Sequence, residues 1–493
     1  MNMRLSDLVK RDVSVDPQIE GVTADSRKVR PGFLFAALPG AKVDGRSFAP
    51  RAVEQGAVAV LAGREIEGLA GPLVIASDPR RAYALAATAF WGAQPATCVA
   101  VTGTNGKTSV AGFCRQMFAG AGFKAASMGT LGVRISAPKS GEMGAEDEQI
   151  TPPGLTTPDA ADVAELLARA AQAGVTHLAL EASSHGIDQR RLDGVKLTAA
   201  GFLNLTQDHL DYHGTMGVYR AAKLRLFETL LARGRTAVLN ADSEAYAAFA
   251  GAAVGAGQGV MSVGEAGQGL KLVERTLLPG GQQLKVLHDS KTYDVRLPLA
   301  GAFQASNALV AAGLCIAAGL SVEQALAGLE ALEGAPGRLQ RVGQGPRGGE
   351  AYVDYAHTPD GLETVLGALR PHVRGKLIVV FGAGGDRDRG KRPLMGRIAA
   401  DLADVAIVTD DNPRSETPSA IRAEILAGAP PSSRSGGARE VGDRREAIRA
   451  AAALLGEGDI LVVAGKGHEQ GQIIGDVVHP FDDVAETESA LHG

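Results

Sequence analysis

Short apolar runs alternate with amphipathic, helix-like stretches along most of the chain. The clearest apolar runs are each followed by a polar loop, and they are Val58–Leu61, Leu73–Ile75, Cys98–Thr102, Leu377–Phe381, Val405–Thr409 and Ile460–Val463. Strands that alternate with helices are typical of parallel α/β units, and such sheets bind ligands at the loops beyond the carboxyl ends of their strands. The pattern therefore predicts an α/β protein with its chemistry in these loops.

One of these loops has the composition of a phosphate-binding loop. Gly103–Ser109 reads GTNGKTS, follows the strand Cys98–Thr102 and precedes a helical run from Val110 to Gly120. In this architecture the loop N–H groups and the helix N-terminus bind phosphate, while the Lys and Thr reach phosphate and Mg²⁺. Val101 stands where the full Walker pattern has its first glycine, and a glycine-rich turn capped by Thr is the alternative. The strand and helix on either side favour the phosphate loop.

The chain has 493 residues, which at about 150 residues per domain predicts roughly three domains. Breaks occur at Trp91–Pro95 and between Gly334 and Gly337. We therefore predict a small N-terminal α/β domain over 1–95, a central P-loop-type ATPase domain with a mostly parallel sheet over 96–334, and a C-terminal Rossmann-like α/β domain over 335–493.

Composition narrows the possible partners. With 45% hydrophobic and 21% charged residues and a net charge of −5, the chain reads as a globular protein without a basic field for nucleic acid or anionic membrane. The apolar stretch from Ala308 to Val322 is too short to span a membrane. We see no signal peptide, and three widely spaced cysteines suit a reducing compartment. We therefore expect a cytoplasmic protein, a monomer, with small-molecule partners.

Two segments carry candidate metal ligands. Glu181 ends an apolar strand, where a P-loop domain places a metal-positioning carboxylate, although a surface glutamate is the alternative. The segment that follows holds Asp208, His209, Asp211 and His213. This density suggests a second cation site, and a polar helix start explains it equally well.

Lys223 falls on an apolar surface. On a helix of ordinary period, the apolar face contains Tyr219, Ala222, Leu226, Phe227 and Leu230, and Lys223 lies within it. A buried ammonium costs several kcal/mol unless it is paired or chemically changed. Lys223 therefore either extends to solvent along the apolar surface or has a functional partner.

Together these motifs resemble those of the Mur ligases, ATP-dependent amide-forming enzymes of peptidoglycan synthesis. The similar stretches follow the family's order over nearly the whole chain: Gly103–Ser109, Glu181–Gly186, Asn204–Gly214, Tyr219–Phe227, Gly301–Asn307 and Val353–Gly361. Further stretches resemble the branch of the family that adds the third amino acid of the peptide: Asp25–Arg27, Thr156–Thr157, Gly385–Asp388, Asp411–Arg414 and Gly465–Glu469.

The resemblance implies a reaction and a catalytic centre. ATP would phosphorylate a carboxylate of UDP-N-acetylmuramoyl-L-alanyl-D-glutamate, and meso-2,6-diaminopimelate would attack the acyl phosphate. The implied catalytic residues are Lys107, Glu181, His209 and Lys223. Mg²⁺ would be held by Thr108, Glu181, His209 and Lys223, the lysine as a carbamate (N6-carboxylysine). The implied ATP contacts are Gly103, Thr104, Asn105, Gly106, Lys107, Thr108, Ser109, Asn307, Arg338, Asp354 and His357. Asn307 could instead be a helix N-cap.

The resemblance also implies two substrate sites. The UDP-sugar peptide would contact Ala24, Ser26, Ala41, Lys42, Val43, Thr156, Thr157, Ser183, Gln189 and Arg191. Diaminopimelate would contact Arg387, Asp411, Asn412, Pro413, Arg414, Gly465 and Glu469. An Arg in the loop after a strand can donate two hydrogen bonds to a carboxylate, and this is the role that the resemblance implies for Arg414. Glu469 would pair with the distal ammonium of diaminopimelate.

Three alternatives are a lysine-adding ligase, a folylpolyglutamate synthetase and a P-loop nucleotide switch. The DNPR sequence at Asp411–Arg414 and the DSR sequence at Asp25–Arg27 argue against the first two. The set of Glu181, His209 and Lys223, with a further domain that has its own ligand loops, argues against the switch.

Overall fold

The computed structural model describes residues 2–40, 43–138, 148–149, 151, 154–278 and 280–493. The chain forms two compact units, one of Met1–Lys271 with Leu309–Gly328 and one of Leu272–Ala308 with Leu329–Gly493. The chain passes between them within the strand Leu270–Leu278 and the helix Ala302–Ala317. The three predicted domain limits stay a prediction.

The first unit begins with a four-stranded parallel sheet, in the order Gly21–Thr23, Phe33–Ala37, Ala57–Ala62 and Leu73–Ile75. A two-stranded sheet of Met3–Arg4 and Gln18–Ile19 lies at the start of the chain. The helices of this part are Leu5–Val9, Ala49–Glu54 and Pro79–Trp91, with short 3₁₀ turns at Ser26–Lys28 and Gly45–Phe48. Apolar side chains of the sheet and of helix Pro79–Trp91 share one core.

A larger sheet forms the rest of the first unit. The strands of this sheet that lie wholly within the first unit are, in order, Glu148–Gln149, Gly132–Ser136, Ala125–Gly129, His177–Glu181, Thr97–Thr102, Ala199–Phe202, Thr236–Asn240 and Gly259–Gly264. From Ala125–Gly129 onward all neighbours are parallel. The accompanying helices are Lys107–Gly120, Ala160–Gln172, Ser184–Asp188, Leu210–His213, Met216–Arg225, Tyr246–Gly255 and Val322–Gly328, and a π-helical turn covers Leu226–Leu230.

The second unit contains another mostly parallel sheet. Its order is Gln340–Gln344, Glu350–Asp354, Ile460–Ala464, Leu377–Phe381, Val405–Val408 and Arg439–Glu440, and the first pair is antiparallel. Two hairpins accompany it, Gly281–His288 with Lys291–Leu297 and Gly471–Ile474 with Val477–Pro480. The helices are Pro359–Leu369, Lys391–Leu402, Pro418–Leu426, Arg444–Ala452 and Asp483–His492, with 3₁₀ turns at Leu329–Ala331 and Arg370–His372.

The predicted strands are present, which confirms the α/β class. Leu73–Ile75 and Leu377–Phe381 have the predicted limits, Val58–Leu61 is one residue longer at each end, and the other predicted strands differ by one residue at one end. The helix predicted over the apolar stretch from Ala308 to Val322 is two helices in the structure. Ala302–Ala317 begins before the apolar stretch, and Val322–Gly328 begins at its last residue. Within the described ranges, the helices lack the combination of length and apolar character needed to cross a bilayer.

Candidate functional site

The loop Gly103–Ser109 joins a central strand to a helix, as predicted. The strand Thr97–Thr102 lies between two parallel neighbours, and the helix Lys107–Gly120 begins directly after Gly106. Gly106 has φ of 88°, a left-handed conformation that favours glycine. Asn204 holds the loop, because its Oδ1 accepts the N–H groups of Thr104 at 3.1 Å and Asn105 at 2.9 Å. The N–H groups at the start of the helix suit an anion at this point.

Glu181 is buried and lies beside Thr108. It ends the strand His177–Glu181, and its residue is only 3% exposed. Its Oε2 accepts a hydrogen bond from the Thr108 hydroxyl at 3.0 Å, and its Oε1 accepts one from Thr130 N at 2.8 Å. The alternative of a surface glutamate is therefore wrong. Two oxygen donors of the type that Mg²⁺ prefers, Thr108 Oγ1 and Glu181 Oε2, lie next to each other, so these residues fit that ion.

Lys223 is almost completely buried, at 1% exposure, so it does not extend to solvent. Its Nζ donates to the Gly103 carbonyl oxygen at 2.8 Å and lies 4.6 Å from the centre of the Tyr219 ring. Lys107 Nζ donates to the same oxygen at 2.8 Å. Burial lowers the pKa of Lys223 well below its ordinary value, and the nearby Lys107 lowers it further. The alternative of extension to solvent is therefore wrong, and a functional partner for Lys223 stays a prediction.

The segment with His209 forms a short helix, Leu210–His213, as the alternative of a polar helix start predicts. His209 has φ of 52°, and its ring centre lies 4.9 Å from that of His185. His213 is buried, and its Nε2 lies 3.0 Å from the Ser184 hydroxyl. Among the residues that the structure describes, no three His, Cys, Asp or Glu side chains are grouped to hold a metal. A second cation site in this segment stays a prediction.

The residues predicted to bind the UDP-sugar from the central region form one network. Thr157 Oγ1 donates to Glu181 O at 3.0 Å and lies 2.9 Å from Ser183 Oγ. Arg191 donates to Thr157 O at 2.6 Å and to Gln189 Oε1 at 2.7 Å. This network reaches the main chain of Glu181. Thr156 approaches the Glu181 carboxylate through Thr130, whose hydroxyl lies 3.0 Å from Thr156 Oγ1 and donates to Glu181 Oε2 at 3.3 Å, so the candidate sugar-peptide residues lie beside the candidate metal residues.

The N-terminal residues of the same predicted site line a cavity of about 1160 Å³ that includes Ala24 and Ser26. Tyr83, which sequence reasoning missed, links this cavity to the central region. Its hydroxyl accepts from Ala24 N at 3.1 Å and donates to Asp159 Oδ1 at 2.6 Å. Burial and the Asp159 carboxylate raise the pKa of Tyr83 far above its usual range. Ala41 and Lys42 lie outside the described residues, and Val43 is exposed.

The residues predicted to bind diaminopimelate surround the loop after strand Val405–Val408. Asn412 Nδ2 donates to Glu469 Oε2 at 3.0 Å. Arg414 has φ of 51° and is held by its N–H, which donates to Ile473 O at 3.1 Å, and by its Nη1, which donates to Gly385 O at 2.9 Å. Arg387 is exposed and donates to Asp386 O at 3.3 Å.

Gly465 allows the loop Gly465–Glu469 to lie against the loop Asp411–Arg414. Its φ is 122°, and a Cβ on it would lie 2.4 Å from Asp411 Oδ2. The Gly465–Glu469 and Asp411–Arg414 loops therefore need a residue without a side chain at their contact. Lys466, which sequence reasoning missed, is fully buried between them.

The remaining candidates for nucleotide contact lie in the second unit. The Arg338 guanidinium carbon lies 4.7 Å from the Tyr355 ring centre. Burial raises the pKa of Asp354, and the positive charge of Arg338 opposes this shift. His357 is exposed. Asn307 is buried inside the helix Ala302–Ala317 and donates to Gln304 Oε1 at 3.1 Å, so the alternative of an N-cap is wrong. Their contact with nucleotide stays a prediction.

A phosphate-type loop against a buried carboxylate, with a buried lysine beside it, defines a P-loop nucleotide-dependent enzyme. Three family descriptions match the chain: "Mur ligase family, catalytic domain" over 18–89, "Mur ligase middle domain" over 101–315 and "Mur ligase, glutamate ligase domain" over 337–467. The chain belongs to the Mur ligase family. This membership confirms the three-domain α/β architecture and makes the protein an ATP-dependent ligase.

Individual relatives are similar over the full length. A UDP-N-acetylmuramoyl-L-alanyl-D-glutamate–2,6-diaminopimelate ligase of Caulobacter vibrioides is 70% identical over 100% of this chain and 99% of its own. The ligase of the same name from Agrobacterium fabrum is 52% identical over 96% of this chain and 93% of its own. A solved structure of a ligase of this name has 34% identity and a TM-score of 0.76, covering 100% of this chain and 99% of that one.

Proposed function

We propose that the protein joins meso-2,6-diaminopimelate to the D-glutamate of UDP-N-acetylmuramoyl-L-alanyl-D-glutamate, with ATP as co-substrate, in peptidoglycan synthesis. The observation that carries the proposal is the grouping of Asn412, Arg414 and Glu469 at the carboxyl edge of the second unit's sheet. This grouping offers donors for a carboxylate and an acceptor for an ammonium. The full-length relatives that carry the name of this ligase support the same substrate.

The reaction consists of two transfers. The glutamate carboxylate attacks the γ-phosphorus of ATP, which gives an acyl phosphate and ADP. The amine of diaminopimelate then attacks the acyl carbon, and the tetrahedral intermediate releases phosphate as the amide forms. Lys107 and the N–H groups of Gly103–Ser109 would stabilise the charge that develops on the phosphoryl oxygens. Mg²⁺, held by Thr108, Glu181 and His209, would neutralise phosphate charge.

Lys223 would complete the metal site after a chemical change. Because burial lowers its pKa, a larger share of this amine is in the neutral, nucleophilic form than for an exposed lysine. The neutral amine adds to CO₂ and loses a proton, which gives a carbamate. This replaces a buried cation by an anion that can ligate Mg²⁺, and it removes the repulsion between Lys223 and Lys107 at the shared Gly103 oxygen.

The amino-acid pocket would recognise the distal end of diaminopimelate. Arg414 and Arg387 would bind its carboxylate, and Glu469 would bind its ammonium. The proposal places the enzyme in the cytoplasm as a monomer. The three cysteines are free and buried, which is consistent with a reducing compartment.

Phosphate release by the purified protein tests the proposal. We expect release with ATP, the UDP-sugar dipeptide and diaminopimelate together, and little when any one is omitted or when lysine replaces diaminopimelate. Mass spectrometry should find the UDP-sugar tripeptide. Release that does not depend on an amino acid would contradict the ligase reaction, and equal use of lysine would contradict the assignment of diaminopimelate. Light scattering of the purified protein tests the monomer.

A further inference from the structure

The glycines on both sides of Lys466 direct its side chain into the protein. Gly465 and Gly467 have φ of 122° and 56°, conformations that favour glycine. A Cβ at position 467 would lie 2.7 Å from the Tyr355 Cβ. The backbone therefore passes close to its neighbours on both sides of Lys466, whose side chain is 0% exposed.

The buried ammonium is well supplied with acceptors. Lys466 Nζ donates to Asn412 Oδ1 and to Gly471 O, both at 2.8 Å. It also lies 3.8 Å from Asp411 Oδ1 and 3.9 Å from Glu469 Oε2. Burial lowers the pKa of Lys466, and the Asp411 carboxylate opposes this shift. Since an unpaired buried charge is costly, these acceptors and carboxylates are what allows an ammonium to be buried here.

Lys466 determines which way the Asn412 amide faces. Asn412 Oδ1 accepts from Lys466 Nζ and from Ile473 N, the latter at 2.9 Å. With two donors at the oxygen, the amide nitrogen must face the other way, where it donates to Glu469 Oε2 at 3.0 Å. The nitrogen carries two hydrogens and Glu469 accepts one of them, so the amide presents a donor on the side of the candidate pocket.

We propose that Lys466 is a positioning residue that sets the selectivity of the pocket for a zwitterionic distal end, by orienting the Asn412 amide and by balancing Asp411 and Glu469. The inference rests on the proposed function. Without Lys466 the pocket would have one cation fewer against Asp411 and Glu469, which weakens its attraction for a ligand carboxylate and strengthens its attraction for a lone ammonium. Loss of Lys466 should therefore disfavour diaminopimelate and favour lysine.

Two variants separate orientation from charge. Lys466→Met removes both the donor and the charge, whereas Lys466→Gln retains an N–H donor for Asn412 without the charge. For Lys466→Met we expect the KM for diaminopimelate to rise about 10–100-fold and the preference for diaminopimelate over lysine to shrink at least about tenfold. The KM values for ATP and the UDP-sugar dipeptide should stay within about twofold. Lys466→Gln should show a smaller rise in KM but a comparable loss of preference.

Lys285→Met is the matched control, because Lys285 is an exposed lysine of the same unit that pairs with Glu274 at 3.1 Å. It should leave all three KM values unchanged. Thermal unfolding is measured on every variant, and if Lys466→Met fails to fold, Lys466→Gln decides by the same criteria. An unchanged KM for diaminopimelate, or a parallel rise for all three substrates with the preference intact, would overturn the inference.

Failure of the proposed function is distinguishable from failure of the inference on Lys466, because it shows in the wild type, which would then not use diaminopimelate. Lys466 is then tested with the amino acid that the wild type does use. A selective rise in the KM for that amino acid supports a positioning role, and no selective rise overturns it.

Discussion

The phosphate loop and the amino-acid pocket both contain buried cations, but their partners differ. The fully buried lysine beside the phosphate loop, Lys223, donates to a neutral acceptor, the Gly103 carbonyl oxygen, to which Lys107 Nζ also donates. In the amino-acid pocket, Lys466 lies within 3.9 Å of two carboxylates. Close by, Arg444 pairs with Asp483 at 2.6 Å, with both side chains 0% exposed.

This difference matches the charges of the ligands that we propose. The positive charge of Lys107 disfavours the charged form of Lys223, so an anion beside the two nitrogens, either a phosphate or a carbamate, would be bound favourably. The pocket already contains its anions, and the distal end of diaminopimelate adds one positive and one negative charge. The phosphate loop is therefore suited to bind ligands with a net negative charge. The amino-acid pocket is suited to bind a ligand end without net charge, through the positions of its own charged groups.

The largest expected effect is that of Lys107→Ala. Phosphate release should fall by at least about 10²–10³-fold, because Lys107 stabilises the transferring phosphoryl group. Binding of the UDP-sugar dipeptide, measured by isothermal titration, should stay unchanged. The exposed Lys196 of the same unit provides the control variant Lys196→Ala. Equal loss of both ligands would mean that Lys107 supports the fold.

Lys223→Arg should reduce ligase activity by about 10²-fold while ATP still binds. Arginine keeps the positive charge but cannot form the carbamate. Lys223→Ala should be equally inactive, and a short carboxylic acid should restore part of its activity, whereas bicarbonate should not restore the Arg variant. Steady-state phosphate release measures both variants. Near-normal turnover of Lys223→Arg would exclude the carbamate.

The sequence predicted features whose partners are close along the chain. The phosphate loop follows its strand directly, and helical periodicity placed Lys223 on the buried face that includes Tyr219 and Phe227. For Glu181 and Lys223 the sequence left open whether the side chain is buried, and the structure shows both buried, whereas their functional roles stay predictions.

Features that depend on distant partners were missed. Tyr83 and its acceptor Asp159 are 76 residues apart, and Lys466 and Asn412 are 54 apart. Neither pairing leaves a local pattern, although the GKG sequence around Lys466 could have indicated a lysine turned inward by positive-φ glycines. The Asn307 alternative was wrong because its helix begins at Ala302, earlier than the apolar run suggests.

Arg414→Ala tests the pocket as a recognition site. The KM for diaminopimelate should rise about 10–100-fold and the preference for diaminopimelate over lysine should shrink, because the distal carboxylate of diaminopimelate loses a guanidinium that can donate two hydrogen bonds to it. The parameters for ATP and the UDP-sugar dipeptide should change little. Steady-state kinetics with both amino acids measures this. The assignment of Asp411–Arg414 would be contradicted if the wild type did not prefer diaminopimelate over lysine, or if Arg414→Ala kept the preference of the wild type.

The smallest expected effect concerns the acid sensitivity of the carboxylates near the pocket. The Arg392 guanidinium, which donates to both Glu416 oxygens at 2.7 and 2.9 Å, lowers the pKa of Glu416 to about 2 from its ordinary 4.5. A carboxylate whose pKa is lower in the folded state stabilises it above the unfolded value, and this contribution is lost as the pH falls through the folded value.

Glu416→Gln should therefore lower the unfolding midpoint by about 2–4 °C at pH 7. The difference from the wild type should shrink as the pH falls from about 4.5 and vanish only once the pH is below about 2. The exposed Glu488 supplies the control variant Glu488→Gln, for which we expect no change at pH 7. Differential scanning fluorimetry across this range measures the midpoints. A Glu416→Gln difference that stays at its full size as the pH falls to about 2 would show that the ion pair with Arg392 does not stabilise this unit through charge. The ion pairs that distinguish the second unit from the phosphate loop would then be those of Lys466 and Arg444.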